Sequence, residues 1–430
     1  MIDSYHVRIV DGELDALLPH LAAIALDGPK AVGKTTTARQ RAKTSIDLTD
    51  PAVSALLLAA PERLDTAASP ILLDEWQRAP QLWDIVRRSV DRNGAGGRFL
   101  LTGSAAPPDM PLHSGAGRID HLRMRPLSLA ERDLPDTPSV SLAALSKNPG
   151  LPLTGTATMT TADYVSEVCS SGFPAIRQLP ALIRPRRLNS YIDSVIQRDF
   201  PEQGLLVRKP NTLRAWLQAY AAATATTASY NKILDAATAG LSDKPARNTV
   251  TAYREVLEQL WLLDPVAGWL PQTSRLSRLA LAPKHHLADP ALAVTLRGAT
   301  QQALLTNSVS LPSDLSGRFT GTPWAGLLFE SLVALSLRVY AQPNAMNVYH
   351  LRTEDGAHEI DFIVELPDSS VIAIETKLSP AVAADSVRHL TWLRDRIGDR
   401  LRNAIVVNTG TGAYRRPDGI GVIPASLLTA

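Results

Sequence analysis

Cysteine is all but missing from this chain. Cys169 is the only one in 430 residues, so no internal disulfide framework is available and a reducing cytosol suits the protein. Net charge is nearly absent too. Lys+Arg 44 against Asp+Glu 42 leaves +2, which neither demands nor excludes nucleic acid and makes any basic surface a local matter. Long apolar runs are lacking: Ala52 to Ala60 falls well short of the ~20 residues of a membrane span. The opening stretch, MIDSYHVRIVDGELD, carries acids where a signal peptide has a basic region and an apolar core. What is present is ordinary globular material, 45% hydrophobic and 20% charged, enough for packed cores. At roughly 150 residues per domain, two or three domains are expected. The expectation is a cytoplasmic protein with no membrane partner.

Residues 1–133 alternate short apolar runs with helical patterns. Ala22 to Leu26 ends in a glycine-rich turn, Pro70 to Leu73 ends in Asp74 and Glu75, and Phe99 to Leu101 ends in Thr102, Gly103 and Ser104. Between the last two, Leu82, Val86 and Val90 recur at helical spacing. This alternation predicts an α/β fold with a parallel sheet, whose ligands gather at the carboxyl ends of the strands. Residues 134–161, rich in Pro, Ser, Thr and Gly, read as a linker. Residues 162–314 read as a helical, alanine-rich region. Residues 315–430 read as a second α/β unit, with helices near 324–340 and 385–396 and strands near 359–365, 371–377 and 404–408.

Gly28-Pro29-Lys30-Ala31-Val32-Gly33-Lys34-Thr35, followed by Thr36, fits G-x-x-x-x-G-K-[ST] after an apolar strand and before a helix. Gly28 and Gly33 let the backbone turn tightly, so that N–H groups point inward around a phosphate. Lys34 would meet the β- and γ-phosphates of ATP, and Thr35 would give a hydroxyl to Mg²⁺. Asp74, closing an apolar strand, would hold the same ion through water, and Glu75 would polarise the attacking water. Thr102 and Ser104 would sense the γ-phosphate or orient that water. Arg118, in Gly115-Ala116-Gly117-Arg118, is placed to act as an arginine finger, in cis or toward a neighbouring subunit of a homo-oligomer.

The run Leu72-Leu73-Asp74-Glu75-Trp76-Gln77, then Arg98 to Ser104, then Gly117-Arg118 and Arg125-Pro126-Leu127-Ser128-Leu129, resembles the predicted AAA+-superfamily ATPases of bacteria and archaea. In those proteins an AAA-type ATPase domain precedes a C-terminal domain of unknown function. The resemblance extends to Tyr191-Ile192 and Arg198-Asp199. It implies ATP binding and a winged-helix element before the C-terminal unit. No second sensor arginine matches, which separates this chain from the pattern that couples hydrolysis to domain motion.

Glu359 to Val364 reads as a strand with Asp361 on the face opposite Ile360, Phe362 and Val364. Ile372 to Lys377 reads as another, with Glu375 and Lys377 on one face. Two carboxylates on adjacent strands can hold Mg²⁺ while a lysine orients water. The Asp, gap, E-x-K pattern is similar to the PD-(D/E)xK restriction-endonuclease-like superfamily. The resemblance implies Asp361 and Glu375 as metal ligands, Lys377 as the catalytic lysine and Glu330 as an accessory ligand. The blander alternative is a Glu–Lys ion pair on a half-solvated sheet. His285 and His286 fit no metal-ligand spacing and read as solvated.

In the middle, Asn248 to Leu260 would be the second helix of a helix-turn-helix, with Lys244, Arg247, Asn248, Thr249 and Arg254 meeting DNA. A module that only packs against the ATPase fits equally well. Arg184 to Arg214 carries seven Lys/Arg against three Asp/Glu, a nucleic-acid surface or a charged helix face. The leading expectation is an ATPase that couples ATP to DNA binding or processing through a nuclease-like domain. Its rival is a nucleotide-dependent switch or scaffold whose silent C-terminal domain binds a protein partner. A small-molecule kinase comes third, because it gives no reason for the second α/β unit.

Overall fold

A computed structural model describes residues 5–104, 116–239, 247–270, 281–309, 323–353 and 356–430. Lys244 lies outside the described residues. Among those described, the runs Ala23–Asp27 (β1), Thr44–Asp47 (β2), Ile71–Asp74 (β3), Phe99–Thr102 (β4) and Asp120–Arg123 (β5) form one sheet in the order β2-β3-β4-β1-β5. All its pairings are parallel. The pleat splits the strands between two cores. Ala23, Ala25, Ile71, Leu73, Phe99 and Leu101 pack with Leu82, Trp83 and Val86. Ile24, Leu26, Leu72, Leu100 and Leu122 pack with Val10, Leu14 and Val32. Burial on both faces explains why β1, β3 and β4 read as continuous apolar runs.

Helices fill the middle. Arg184–Ser194 continues through a π-turn, Val195–Asp199, into Phe200–Glu202. Pro210–Ala222, Tyr230–Ala237 and Arg247–Gln259 follow. The last of these buries Val250, Tyr253, Leu257 and Leu260, as the spacing predicts. Its Arg254 stacks over the Tyr230 ring at 4.7 Å and pairs with Glu258 at 3.6 Å. A narrow ribbon comes next, in which Leu263 bridges Leu287 and Val266 bridges Lys284 in antiparallel fashion. His285 and His286 sit in this ribbon and are buried, contrary to the solvated positions expected for them. His285 shares a hydrogen bond of 2.6 Å with the Ala228 carbonyl, and burial pulls its pKa down to about 4.

The second sheet is mixed. It contains Asn347–Arg352 (β7), Glu359–Glu365 (β8), Val371–Thr376 (β9), Leu401–Asn408 (β10), Tyr414–Arg415 (β11) and Gly421–Pro424 (β12), in the order β11-β12-β10-β9-β8-β7. β9, β10 and β12 run parallel, whereas β7, β8 and β11 join antiparallel. The helix Trp324–Ala341 covers one face, against Phe362, Val364, Ile372, Ile374, Ile405 and Val407. It is long and apolar enough to cross a membrane, but most of it is buried inside the protein as a core helix. The helix Arg388–Ile397 covers the other face, against Ile360, Ile363, Val371 and Ala373. A register shift between β7 and β8 puts Ile360 on the side opposite Phe362 and Val364, not beside them as strict alternation predicts.

Residues 134–161 are not a linker. Val140–Ser141 (β6) pairs in parallel with Leu428–Thr429 (β13). The helix Leu142–Lys147 packs on β10, with Leu142 and Leu145 fully buried. Asn403 Nδ2 donates to the Leu145 carbonyl at 2.5 Å. Elements of two and six residues are too short to show a period, which is why composition hid them.

Candidate functional site

The loop after β1 has the backbone its glycines predict. Gly28 has φ +150° and approaches the Met124 carbonyl so closely that a Cβ would lie 2.1 Å from its oxygen. Gly33, at φ +105°, caps the helix Lys34–Arg39. Pro29 and Val32 are buried, Ala31 turns at φ 65°, and Thr36 is exposed. Lys34 is buried and donates through Nζ to the carbonyls of Gly28 (2.7 Å) and Pro29 (2.8 Å). Burial pulls its pKa down to about 8, against the opposing charges of Glu75 and Asp27.

Parallel register puts Asp74 beside Thr102. Asp74 Oδ1 accepts from Thr35 Oγ1 at 2.7 Å and from Thr102 Oγ1 at 2.6 Å. A carboxylate and a hydroxyl so arranged are hard oxygen donors that suit Mg²⁺ and its waters. Glu75 stands at φ 56°, a left-handed conformation that costs a non-glycine residue about 1–3 kcal/mol and is common at functional sites. Its carboxylate accepts from Gln77 Nε2. Ser104 is buried just past β4.

Two predicted residues point elsewhere. Lys30 turns its ammonium outward, 2.6 Å from Asp199 and 3.4 Å from Glu202 in the middle region. Arg118 precedes β5, whose first residue pairs with Ile24, so it lies at the amino end of the strands, away from the phosphate loop. There its Nε is 2.8 Å from Asp91. That placement does not fit an arginine finger in cis, and the pair with Asp91 fits an ordinary surface arginine.

Sequence reasoning missed the supports. Arg8, buried, braces the loop from behind, donating to the carbonyls of Val32 (3.1 Å) and Arg125 (2.7 Å) and pairing with Glu131 at 3.0 Å. Asp264 is buried among three arginines, with Arg123 at 3.1 Å, Arg125 at 2.9 Å and Arg338 closer still. Burial raises a carboxylate's pKa, but the three guanidinium charges hold Asp264 well below the usual range. Neither residue lies in a recognisable motif. Arg8 is a single basic residue in an otherwise acidic stretch, between Val7 and Ile9, and Asp264 merely follows Leu262 and Leu263.

The C-terminal residues do converge. Glu330, Glu359, Asp361, Glu375 and Lys377 line one cavity of about 550 Å³. Asp361 Oδ2 accepts from the Thr376 N–H (2.9 Å) and hydroxyl (2.8 Å), and Lys377 Nζ lies 3.5 Å from Glu375. The cation among the carboxylates is Lys284, fully buried, 2.8 Å from Glu330 and 3.1 Å from both Glu359 and Asp361. Burial raises Glu330 to about 8 and Glu375 well above its ordinary value, the nearby Asp361 charge adding to both. Burial pushes Asp361 the same way, yet Lys284, Lys377 and the Thr376 donors hold it below the carboxylate range. Lys284 and Lys377 thus offset carboxylate charge within the cluster. Among the described residues, no three His, Cys, Asp or Glu side chains are disposed to share one ion. Glu330, Asp361 and Glu375 therefore do not fit Mg²⁺ as they stand, because Lys284 holds the centre.

Residues 21–132 match the family described as an AAA domain. Residues 161–303 and 325–428 match two families described as domains of unknown function, DUF8612 and DUF4143. Two curated relatives, uncharacterized proteins of Mycobacterium bovis and Mycobacterium tuberculosis, are each 27% identical over 428 residues, 98% of this chain and 84% of theirs. The Walker-type ATPase of Pyrococcus abyssi is a similar solved structure at 14% identity, covering 69% of this chain and 97% of that one, with a TM-score of 0.38. The ORC2 protein of Aeropyrum pernix, solved as ADPNP–ADP complexes, is similar at 13% identity over 71% of this chain and 97% of that one, with a TM-score of 0.29. The match to the AAA domain family falls on the N-terminal parallel sheet and its P-loop, which make an AAA-like domain.

Proposed function

We propose that the N-terminal domain binds and hydrolyses ATP and that its nucleotide state is read by the two units behind it. The observation that carries this reading is the meeting of Thr35, Asp74 and Thr102 at one point, beside a loop that buries the Lys34 ammonium. ATP would draw Lys34 from the carbonyls of Gly28 and Pro29 to its phosphates. Mg²⁺, held by Thr35 and through water by Asp74, would neutralise phosphate charge. Thr102 keeps Asp74 in place, and Glu75 takes the role of orienting the attacking water. Lys30 lies within the loop while its side chain binds Asp199, which makes one contact between the loop and the middle region.

For the C-terminal unit, the structure favours the silent-module reading over nuclease chemistry, because an ammonium occupies the centre of the carboxylates. The test is phosphate release from ATP by the full chain and its Glu75→Gln variant, with plasmid nicking in Mg²⁺ or Mn²⁺ run alongside. Turnover lost in the variant with no nicking supports the switch. Metal-dependent nicking abolished by Asp361→Asn restores the DNA-processing reading, and equal turnover in both chains removes the assignment of Glu75.

A further inference from the structure

Lys284 donates to Glu330 at 2.8 Å and to Asp361 at 3.1 Å, and pairs with the Glu359 carboxylate at 3.1 Å. These are hydrogen-bond distances, longer than the roughly 2.0–2.1 Å of Mg²⁺–oxygen bonds. The side chain is fully shielded from solvent, so carboxylates of the cluster, not water, answer its charge. Asp361 spends its other oxygen on Thr376. Glu375 Oε1, buried in the same place, has no hydrogen-bond partner among the described residues. The set is a carboxylate cluster gathered on one cation, and that cation is covalently part of the chain.

Its origin matters. The carboxylates belong to the C-terminal unit, whereas Lys284 arrives on the ribbon from the middle. There Lys284 and Val266 exchange both backbone hydrogen bonds, at 2.9 Å each. The ribbon runs on to the edge of the second sheet, where Trp269 N–H donates to His350 O at 2.7 Å. Two residues before Val266, Asp264 is gripped by Arg123 and Arg125 of the ATPase domain.

We infer that Lys284 is a resident cation, lent by the middle unit, that takes the place of a divalent ion and keeps the carboxylate cluster closed to metal while the ribbon is docked. This inference does not rest on the ATPase reading. Its test uses the full chain carrying Asp74→Asn, which removes the metal-binding carboxylate of the other site, without nucleotide. Mn²⁺ binding is followed by electron paramagnetic resonance and by thermal melting. With Lys284 intact, neither signal should respond. With Lys284→Ala, or with Lys284→Ala/Glu330→Gln, which removes the ammonium together with the nearest of its carboxylates, Mn²⁺ should bind at least about tenfold more tightly and raise the melting temperature. Adding Asp361→Asn should abolish that gain. Binding by the Lys284-intact chain that Asp361→Asn removes would overturn the inference, since ion and ammonium would then coexist. No binding by either Lys284 variant would overturn it as well, leaving the cluster a plain ion-pair node.

Discussion

Lys30 of the phosphate loop and Asp199 of the π-turn meet across 169 positions of sequence, Nζ to Oδ1, at 2.6 Å. Asp199 is buried and Lys30 about a third exposed, so solvent offsets part of the attraction. Asp199→Asn should lower stability by only about 1 kcal/mol. It should leave ATP affinity nearly unchanged, because the Lys30 ammonium points away from the loop. Calorimetry of ATP binding beside a melting curve checks both; a large loss of affinity would mean the pair shapes the loop itself.

Lys34→Ala removes the cation that the phosphates would meet in the proposed ATP site. ATP affinity should fall about a hundredfold, ~2.7 kcal/mol, with little change in melting temperature without nucleotide. Fluorescent-nucleotide titration gives the answer, and unchanged affinity together with unchanged turnover would remove the ATPase assignment.

The pKa of Lys34, pulled down to about 8 by burial, has a consequence in pH. Above that value the unliganded protein carries a neutral amine, while bound phosphate favours the ammonium. Binding above pH 8 should therefore take up close to one proton, and affinity should decline as pH rises further. Calorimetry in buffers of different ionisation enthalpy counts that proton, and Lys34→Arg should abolish the uptake.

Glu75→Gln preserves shape and removes the basic carboxylate. Binding should persist while turnover falls by about 10²–10⁴-fold. Single-turnover measurement separates this from slow product release. Hydrolysis at the wild-type rate would reassign the water-orienting role.

Asp264→Asn leaves Arg123, Arg125 and Arg338 without their common carboxylate. Breaking a buried ion cluster on one side costs about 3–5 kcal/mol. Thermal melting should show that loss, and Asp264→Glu should recover part of it. A shift no larger than that of an exposed substitution would contradict the role given to Asp264.

Much of the first site was legible because its chemistry is local. Gly28 to Thr35 is one continuous stretch, and β1, β3 and β4 are buried on both faces, so they stand out as apolar runs. β2 and β5 were invisible because edge strands leave half their residues exposed. The second site was legible only in part. Asp361, Glu375 and Lys377 lie on neighbouring strands, and strand spacing brings them together. Lys284 reaches Glu330 and Asp361 from 46 and 77 positions away. Nothing in Ala282-Pro283-Lys284-His285-His286 marks it as different from a surface lysine. The two histidines beside it misled for the same reason, since burial is a property of the fold around them.

β6 and β13 add a constraint of a different kind. Ser141 Oγ donates to the Ala430 carbonyl, 289 positions later, beside the short ladder that joins the two strands. A ribosome adding roughly 5–20 residues each second needs about 15–60 s to make that stretch. Throughout this time Leu142 and Leu145, which end fully buried, have no finished sheet to cover them. The first sheet has all its strands by Arg123, but the surface around Leu142 and Leu145 is not closed until β13 has been made. β13 thus closes a surface whose first strand was laid down nearly 290 residues earlier.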